Sequence, residues 1–251
     1  MNKQQQIAIV AKTINFKLIE ILTSQFNVPF SIITTNYNGE TFKNAKLIKD
    51  DKLLNREIFF RTCKHPRAGW LYQQFLKYEI VIKSEFENTL VIDGDSVIRD
   101  IKFLNPYTLY YTKKTIETFY SNFISKILGS NYITQRNFIT NQMNFNKEAL
   151  ISMLTSAFGS LDKYPNFIMD FLHENPDSEF SEYQTYAAWL QYKKNPNSEI
   201  IKVFRRLDLL NVEPLDSLKK YDLVAFEHGH KTDLLRTVRA RILYSFGMNL
   251  G

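Results

Sequence analysis

The first hundred residues alternate between short, unbroken apolar runs and longer stretches in which apolar positions recur every three or four residues. Ile7-Ala8-Ile9-Val10 belongs to a run extending to Lys12 that reads as a first strand. Residues 15–25 follow with Phe16, Ile19 and Leu22, and Phe26 just beyond, on one side of a helix. Phe30 to Thr34 predicts a second strand. After a polar turn at 36–39, a third and shorter strand falls near 46–48, and a helix begins after Pro66. Next comes Thr89-Leu90-Val91-Ile92, a compact run without polar alternation, which is how a strand buried on both faces of a parallel sheet reads. It breaks at Asp93-Gly94-Asp95 and resumes as Val97-Ile98. Strands and helices in alternation predict an α/β fold with a Rossmann-like, mostly parallel sheet flanked by helices.

Beyond Asp95 the pattern is looser. It predicts a strand at 109–112, a helix at 115–128, a strand across 137–145, and helices at 147–158, 164–173 and 181–193. In the last of these Tyr183, Tyr186, Ala187 and Leu190 share a face, with Ser181 as a candidate cap. A strand at 223–226 feeds Glu227-His228-Gly229-His230-Lys231, and a basic helix over 232–246 follows. No repeat, low-complexity tract or Pro/Ser linker interrupts the chain, so the reading is one domain over 1–251 with 232–251 as its basic C-terminal helix.

Composition narrows the class. An apolar content of 44% and a charged content of 23% over 251 residues are ordinary for a soluble globular protein. The opening residues lack the apolar core of a signal peptide, and no stretch approaches the ~18 apolar residues of a membrane span. The lone Cys63 excludes an internal disulfide. These features predict a cytoplasmic protein. The formal charge of +6 favours anionic partners, but it is spread along the chain without a basic block or zinc-finger signature, so nucleic acid is not expected.

Chemistry is concentrated at Asp93-Gly94-Asp95. The carboxyl end of a parallel strand is where open α/β sheets bind ligands. Two carboxylates one residue apart, around a glycine that lets ligand and backbone approach, suit a hard divalent cation, Mn²⁺ or Mg²⁺, gripping a diphosphate. The competing reading is a plain Asp-Gly turn between strands.

Four segments in this order carry a family resemblance: Pro66-Arg67-Ala68-Gly69-Trp70-Leu71-Tyr72-Gln73-Gln74-Phe75-Leu76-Lys77, then Leu90-Val91-Ile92-Asp93-Gly94-Asp95-Ser96-Val97, then Asn137-Phe138-Ile139-Thr140, then Ser181-Glu182-Tyr183-Gln184-Thr185-Tyr186. Over residues 7–230 the chain resembles a bacterial family of small glycosyltransferases with a GT-A-type fold, linked to surface-polysaccharide synthesis such as capsule or lipopolysaccharide. The resemblance implies a GT-A-like domain transferring a sugar from a nucleotide-sugar donor, UDP-linked by default, to a glycan or lipid-linked acceptor.

It also implies roles. Asp95 is the first choice as a metal ligand, and Asp93 either shares the metal or holds the donor ribose. GT-A enzymes commonly take a further metal ligand from a late His, so His228 or His230 is a candidate, with Lys231 beside it for a phosphate. Arg67, Gln74 and Lys77 are candidates for donor contact, against a reading as a solvated helix face. Glu182 is the candidate base of an inverting displacement, with Ser181 and Tyr183 beside it on the acceptor side; helix capping is the alternative for Ser181 and Glu182. Asn137 and Thr140 are candidates for lining the sugar pocket.

In the 232–246 helix Leu234, Leu235, Val238, Ile242 and Phe246 alternate with Arg236, Arg239 and Arg241. This pattern suits either packing on the domain or peripheral contact with the inner face of the cytoplasmic membrane. Two rival functions stand beside transfer. A sugar-1-phosphate nucleotidyltransferase usually carries a Gly-rich loop after its first strand, which residues 7–15 lack. A non-catalytic carbohydrate-binding protein on the same fold is the other.

Overall fold

A computed structural model describes residues 5–12, 16–36, 41–129, 135–194, 196–205 and 220–225. The elements in order are β1 (Gln5–Ala11), α1 (Phe16–Gln25), β2 (Phe30–Thr34), β3 (Ala45–Lys49), α2 (Arg56–Thr62), α3 (Ala68–Lys83), β4 (Asn88–Asp93), β5 (Ser96–Ile98), β6 (Thr108–Thr115), α4 (Thr118–Leu128), β7 (Arg136–Asn137), β8 (Gln142–Asn146), α5 (Lys147–Phe158), α6 (Tyr164–Glu174), α7 (Glu182–Lys194), β9 (Asn197–Ile200), β10 (Val203–Arg205) and β11 (Leu223–Ala225).

The central sheet has the order β3-β2-β1-β4-β8. Its first four strands are parallel, and β8 closes one edge antiparallel to β4. The mostly parallel α/β fold predicted from the alternating pattern is therefore the fold observed. Both faces are covered, as continuous apolar strands require. Ala8, Val10 and Val91 face a core built with α3, α4, α5, α6 and α7. Ile7, Ile9, Leu90 and Ile92 face the opposite core, made with α1, β5 and β11.

The sequence pattern located most elements to within a residue or two and erred where local geometry intervenes. The single strand expected across 137–145 is two, β7 and β8, because Asn141 takes a left-handed φ of 61° between them. Thr115, expected to open a helix, ends β6; the helix starts at Thr118. Phe16, assigned to the buried stripe of α1, is instead half exposed and stacks on Phe42 at 5.7 Å. α7 is buried on every side from Glu182 to Leu190 rather than along one face.

The topology fixes where a ligand belongs. From β1 the chain steps outward through β2 to β3, then crosses through α3 to β4 on the other side of β1. The strand order therefore reverses between β1 and β4, and the crevice beyond their carboxyl ends is the binding position of open α/β sheets. Asp93 is the last residue of β4 and lies opposite Val10.

Two smaller sheets flank this end. β5 leaves the central sheet directly after Asp95 and pairs antiparallel with β11, which pairs in parallel with β10. β6 lies between β7 and β9. Among the described residues no helix is long and apolar enough to cross a membrane.

Candidate functional site

Asp93, Gly94 and Asp95 occupy the tight step from the central sheet to β5. The Asp93 N–H donates to the Asn141 carbonyl at 2.9 Å, and the Gly94 N–H donates to the Val10 carbonyl at 3.0 Å. These bonds pin the turn between β1 and the start of β8. They also bring Gly94 so close to β1 that a Cβ there would sit 2.9 Å from the Ala11 Cα and 3.1 Å from the Val10 oxygen. The glycine is thus a packing requirement of the strand end. Asp95 Oδ1 accepts from the Ser96 hydroxyl at 3.0 Å.

Behind Asp93 lies a buried charge cluster. α3 presents Gln74 and Lys77 one turn apart, amid apolar Leu71, Phe75 and Tyr78, and all five side chains are buried. The Lys77 ammonium reaches Asp93 Oδ1 at 2.5 Å and Glu182 Oε1 at 2.7 Å. The Tyr183 hydroxyl donates to the same Asp93 oxygen at 2.7 Å, and Lys77 Nζ lies 4.3 Å from the centre of the Tyr183 ring. Glu182 is 1% exposed; besides Lys77, its carboxylate faces the Gln74 amide, which donates to it when the amide nitrogen is turned toward the carboxylate, and its backbone carbonyl accepts from the Tyr78 hydroxyl at 2.9 Å.

The electrostatics follow from this burial. Desolvation pushes the Glu182 carboxyl above the ordinary range, against the pull of Lys77. Desolvation alone would lower Lys77, but Asp93 and Glu182 outweigh it and hold the ammonium above its ordinary value. Burial, with Asp93 and Glu182 adding, holds the Tyr183 phenol well above its usual value, so it is a hydrogen-bond donor at neutral pH.

The residues singled out by sequence fall into three groups. Asp93, Gln74, Lys77, Glu182 and Tyr183 converge on one network, with Asp95 two residues beyond Asp93. Their orientation differs from the expectation: Gln74 and Lys77 turn inward to carboxylates instead of outward to a phosphate. Glu182 is likewise spent on Lys77 and Gln74 rather than offered to an acceptor hydroxyl.

Arg67, Asn137, Thr140 and Ser181 are engaged elsewhere. Arg67 is half exposed, stacked on Trp70 with 4.1 Å from its guanidinium carbon to the ring centre, and 3.6 Å from Glu179. Asn137 accepts from the Ile139 N–H at 2.9 Å and donates to the Thr115 carbonyl at 3.3 Å. Thr140 is fully buried with its hydroxyl given to the Gln142 carbonyl at 2.9 Å, which removes it from an open pocket wall. Ser181 Oγ accepts from the Gln184 N–H at 3.4 Å, the capping arrangement at the start of α7. His228, His230 and Lys231, and the 232–246 helix, lie outside the described residues.

Sequence reasoning missed Asn141. Its carbonyl holds the Asp93 N–H, and its own Oδ1 is buried without a hydrogen-bond partner among the described residues. The signal available was chemical, since Asn tolerates a left-handed φ better than most residues.

A divalent cation fits the donor chemistry at this strand end. Mg²⁺ and Mn²⁺ favour carboxylate oxygens, and Mg²⁺ typically uses one or two of them and completes its shell with water and phosphate. Asp93, whose side chain is 27% exposed, and Asp95 supply two. Among the described residues no three His, Cys, Asp or Glu side chains converge as a fuller cluster.

No protein-family model matches the chain, and no curated protein sequence does. Among solved structures it is similar to the galactosyltransferase LgtC in complex with donor and acceptor sugar analogues, at 10% identity and TM-score 0.47, covering 98% of this chain and 97% of that one. An active-site mutant of LgtC gives 13% identity and TM-score 0.48, with 96% of each chain covered. Mouse xyloside xylosyltransferase 1 in its apo form gives 9% identity and TM-score 0.40, covering 89% of this chain and 98% of that one. At such identities and scores no residue role carries across.

Proposed function

We propose that the protein is a nucleotide-sugar-dependent glycosyltransferase of the GT-A type, using Mn²⁺ or Mg²⁺. The observation that carries this reading is the location of Asp93-Gly94-Asp95 at the carboxyl end of β4, where the strand order reverses beside β1. The glycine between the two carboxylates packs directly against β1, which fixes the turn that carries them at the strand end.

Breaking the bond between an anomeric carbon and a diphosphate builds negative charge on the leaving group. A divalent cation held by Asp95 and Asp93 would supply the positive charge that offsets it. His228 or His230 as a further ligand, and Lys231 at a phosphate, complete the proposal. Tyr183 and Lys77 fix Asp93 from behind, and the folded strand end holds both carboxylates without reorganisation at the moment of reaction.

The acceptor proposed is a glycan or lipid-linked glycan of bacterial surface-polysaccharide synthesis. The 232–246 helix would keep the enzyme at the inner face of the cytoplasmic membrane, and the whole of 1–251 would act as one domain. An inverting displacement needs a base at the acceptor hydroxyl; Glu182, facing Lys77, is not put forward for that role.

Thermal melting with UDP, GDP and CMP, each with and without Mn²⁺, tests the reading. A nucleotide at about 100 times its dissociation constant adds ~2.7 kcal/mol to the native state. The expected result is stabilisation by one nucleotide only when Mn²⁺ is present, lost in Asp95→Ala. Absence of any shift with all three nucleotides would overturn donor binding at this site and leave the carbohydrate-binding reading.

A further inference from the structure

The Asp93 carboxylate receives two donors on one oxygen. Lys77 Nζ and the Tyr183 hydroxyl both meet Oδ1. Two donors converging on one oxygen from α3 and α7 fix the plane of a carboxylate more firmly than either alone. Lys77 by itself would do this at a cost, because its charge neutralises Asp93 and repels a cation.

Glu182 removes that cost. Its carboxylate is 2.7 Å from Lys77 Nζ, buried, and oriented by the Gln74 amide and by the Tyr78 hydroxyl on its own backbone carbonyl. With its carboxylate ionised, Glu182 offsets the charge of Lys77, and the strand end keeps the two negative charges of Asp93 and Asp95. We propose that Glu182, Lys77 and Tyr183 are positioning residues that aim Asp93 at a divalent cation, Glu182 acting through Lys77 by cancelling its charge.

This assignment rests on the metal-dependent reading above and gives Glu182 a task unrelated to the acceptor. The two tasks separate cleanly in a protein that has seen no acceptor. A base acts only on the acceptor hydroxyl, so its removal leaves metal affinity untouched. A positioning residue behind a ligand alters metal affinity directly, typically by ~10- to 100-fold.

The experiment is calorimetric titration of the full chain with Mn²⁺ alone, comparing wild type, Asp95→Ala, Glu182→Gln and Tyr183→Phe. Tyr183→Phe keeps the ring over Lys77 and deletes only the hydroxyl. It should bind Mn²⁺ about 10-fold more weakly, and Glu182→Gln between about 10- and 100-fold more weakly. Should Glu182→Gln fail to fold, Tyr183→Phe alone decides.

Wild-type affinity in both variants, beside a loss of binding in Asp95→Ala, overturns the positioning role while leaving the metal reading intact. A wild type that binds no Mn²⁺ overturns both. Turnover lost in Glu182→Gln at unchanged Mn²⁺ affinity would return Glu182 to the role of base.

Discussion

At the scale of single residues, two glycines of this chain have opposite tolerances. Gly94 faces the backbone of β1, and a methyl there would press on the Ala11 Cα and the Val10 carbonyl, neither of which can rotate away. Gly69, in the first turn of α3, has nothing within 4 Å of the position its Cβ would take. Gly94→Ala should therefore destabilise by about 1–3 kcal/mol, the usual cost of overpacking. Gly69→Ala should stabilise by up to about 1 kcal/mol, since alanine is the better helix former and the space is open. Urea unfolding of the two variants checks both signs. Equal effects at the two positions would contradict the close approach at the strand end.

At the scale of elements, the small sheet that carries β5 is tied down by Asp222. Its carboxylate accepts from Lys102 at 2.5 Å and from the Lys202 N–H at 2.8 Å, joining the start of β11 to the segments before β6 and β10. Burial pulls the Asp222 carboxyl upward, but Lys102 and the Lys202 N–H together hold it below the ordinary range. A depressed carboxylate adds stability above its unfolded-state value, and that increment is lost as pH falls through the folded one. Asp222→Asn should lower stability by about 1 kcal/mol at pH 7. The difference from wild type should shrink as pH drops below about 4, where the unfolded chain begins to protonate. Melting curves between pH 3 and 7 decide it, and a gap that widens on acidification would refute the assignment.

The same scale shows what the sequence could convey. Runs such as Ile7 to Val10 and Leu90 to Ile92 declared themselves because a strand buried on both faces has no polar side to confuse its period. α2 leaves no helical stripe in its seven residues, and β9 and β10, of three or four residues, have no period to read. The site was legible in part. Asp93, Asp95, Lys77, Gln74, Glu182 and Tyr183 all stand out in the sequence as chemistry. The direction each side chain faces does not, because it depends on α3 and α7 meeting across 105 residues of chain. A polar pair at Gln74 and Lys77 inside an apolar helix face was the available sign that both need buried partners.

At the scale of the whole molecule, stability should be graded across the central sheet. β1 and β4 are flanked by strands on both sides and covered on both faces, whereas β3 is an edge strand whose residues are only half-buried or exposed. Amide exchange should be slowest in β1 and β4 and markedly faster in β3, because edge amides open without global unfolding. Exchange measured by mass spectrometry or NMR reads this gradient, and β3 as slow as β1 would argue against the strand order.

The departure of β5 from the central sheet has a consequence for how the protein comes into being. Val97 pairs with Val224, so the strand that leaves the acidic turn finds its partner 127 residues later. On a ribosome, Asp93 and Asp95 emerge long before that partner exists, and Tyr183 arrives between the two. A polypeptide that stops short of residue 223 therefore has the residues that pin the turn, Val10 and Asn141, and the Lys77 and Tyr183 side chains on Asp93, but leaves β5 without the strand it pairs with.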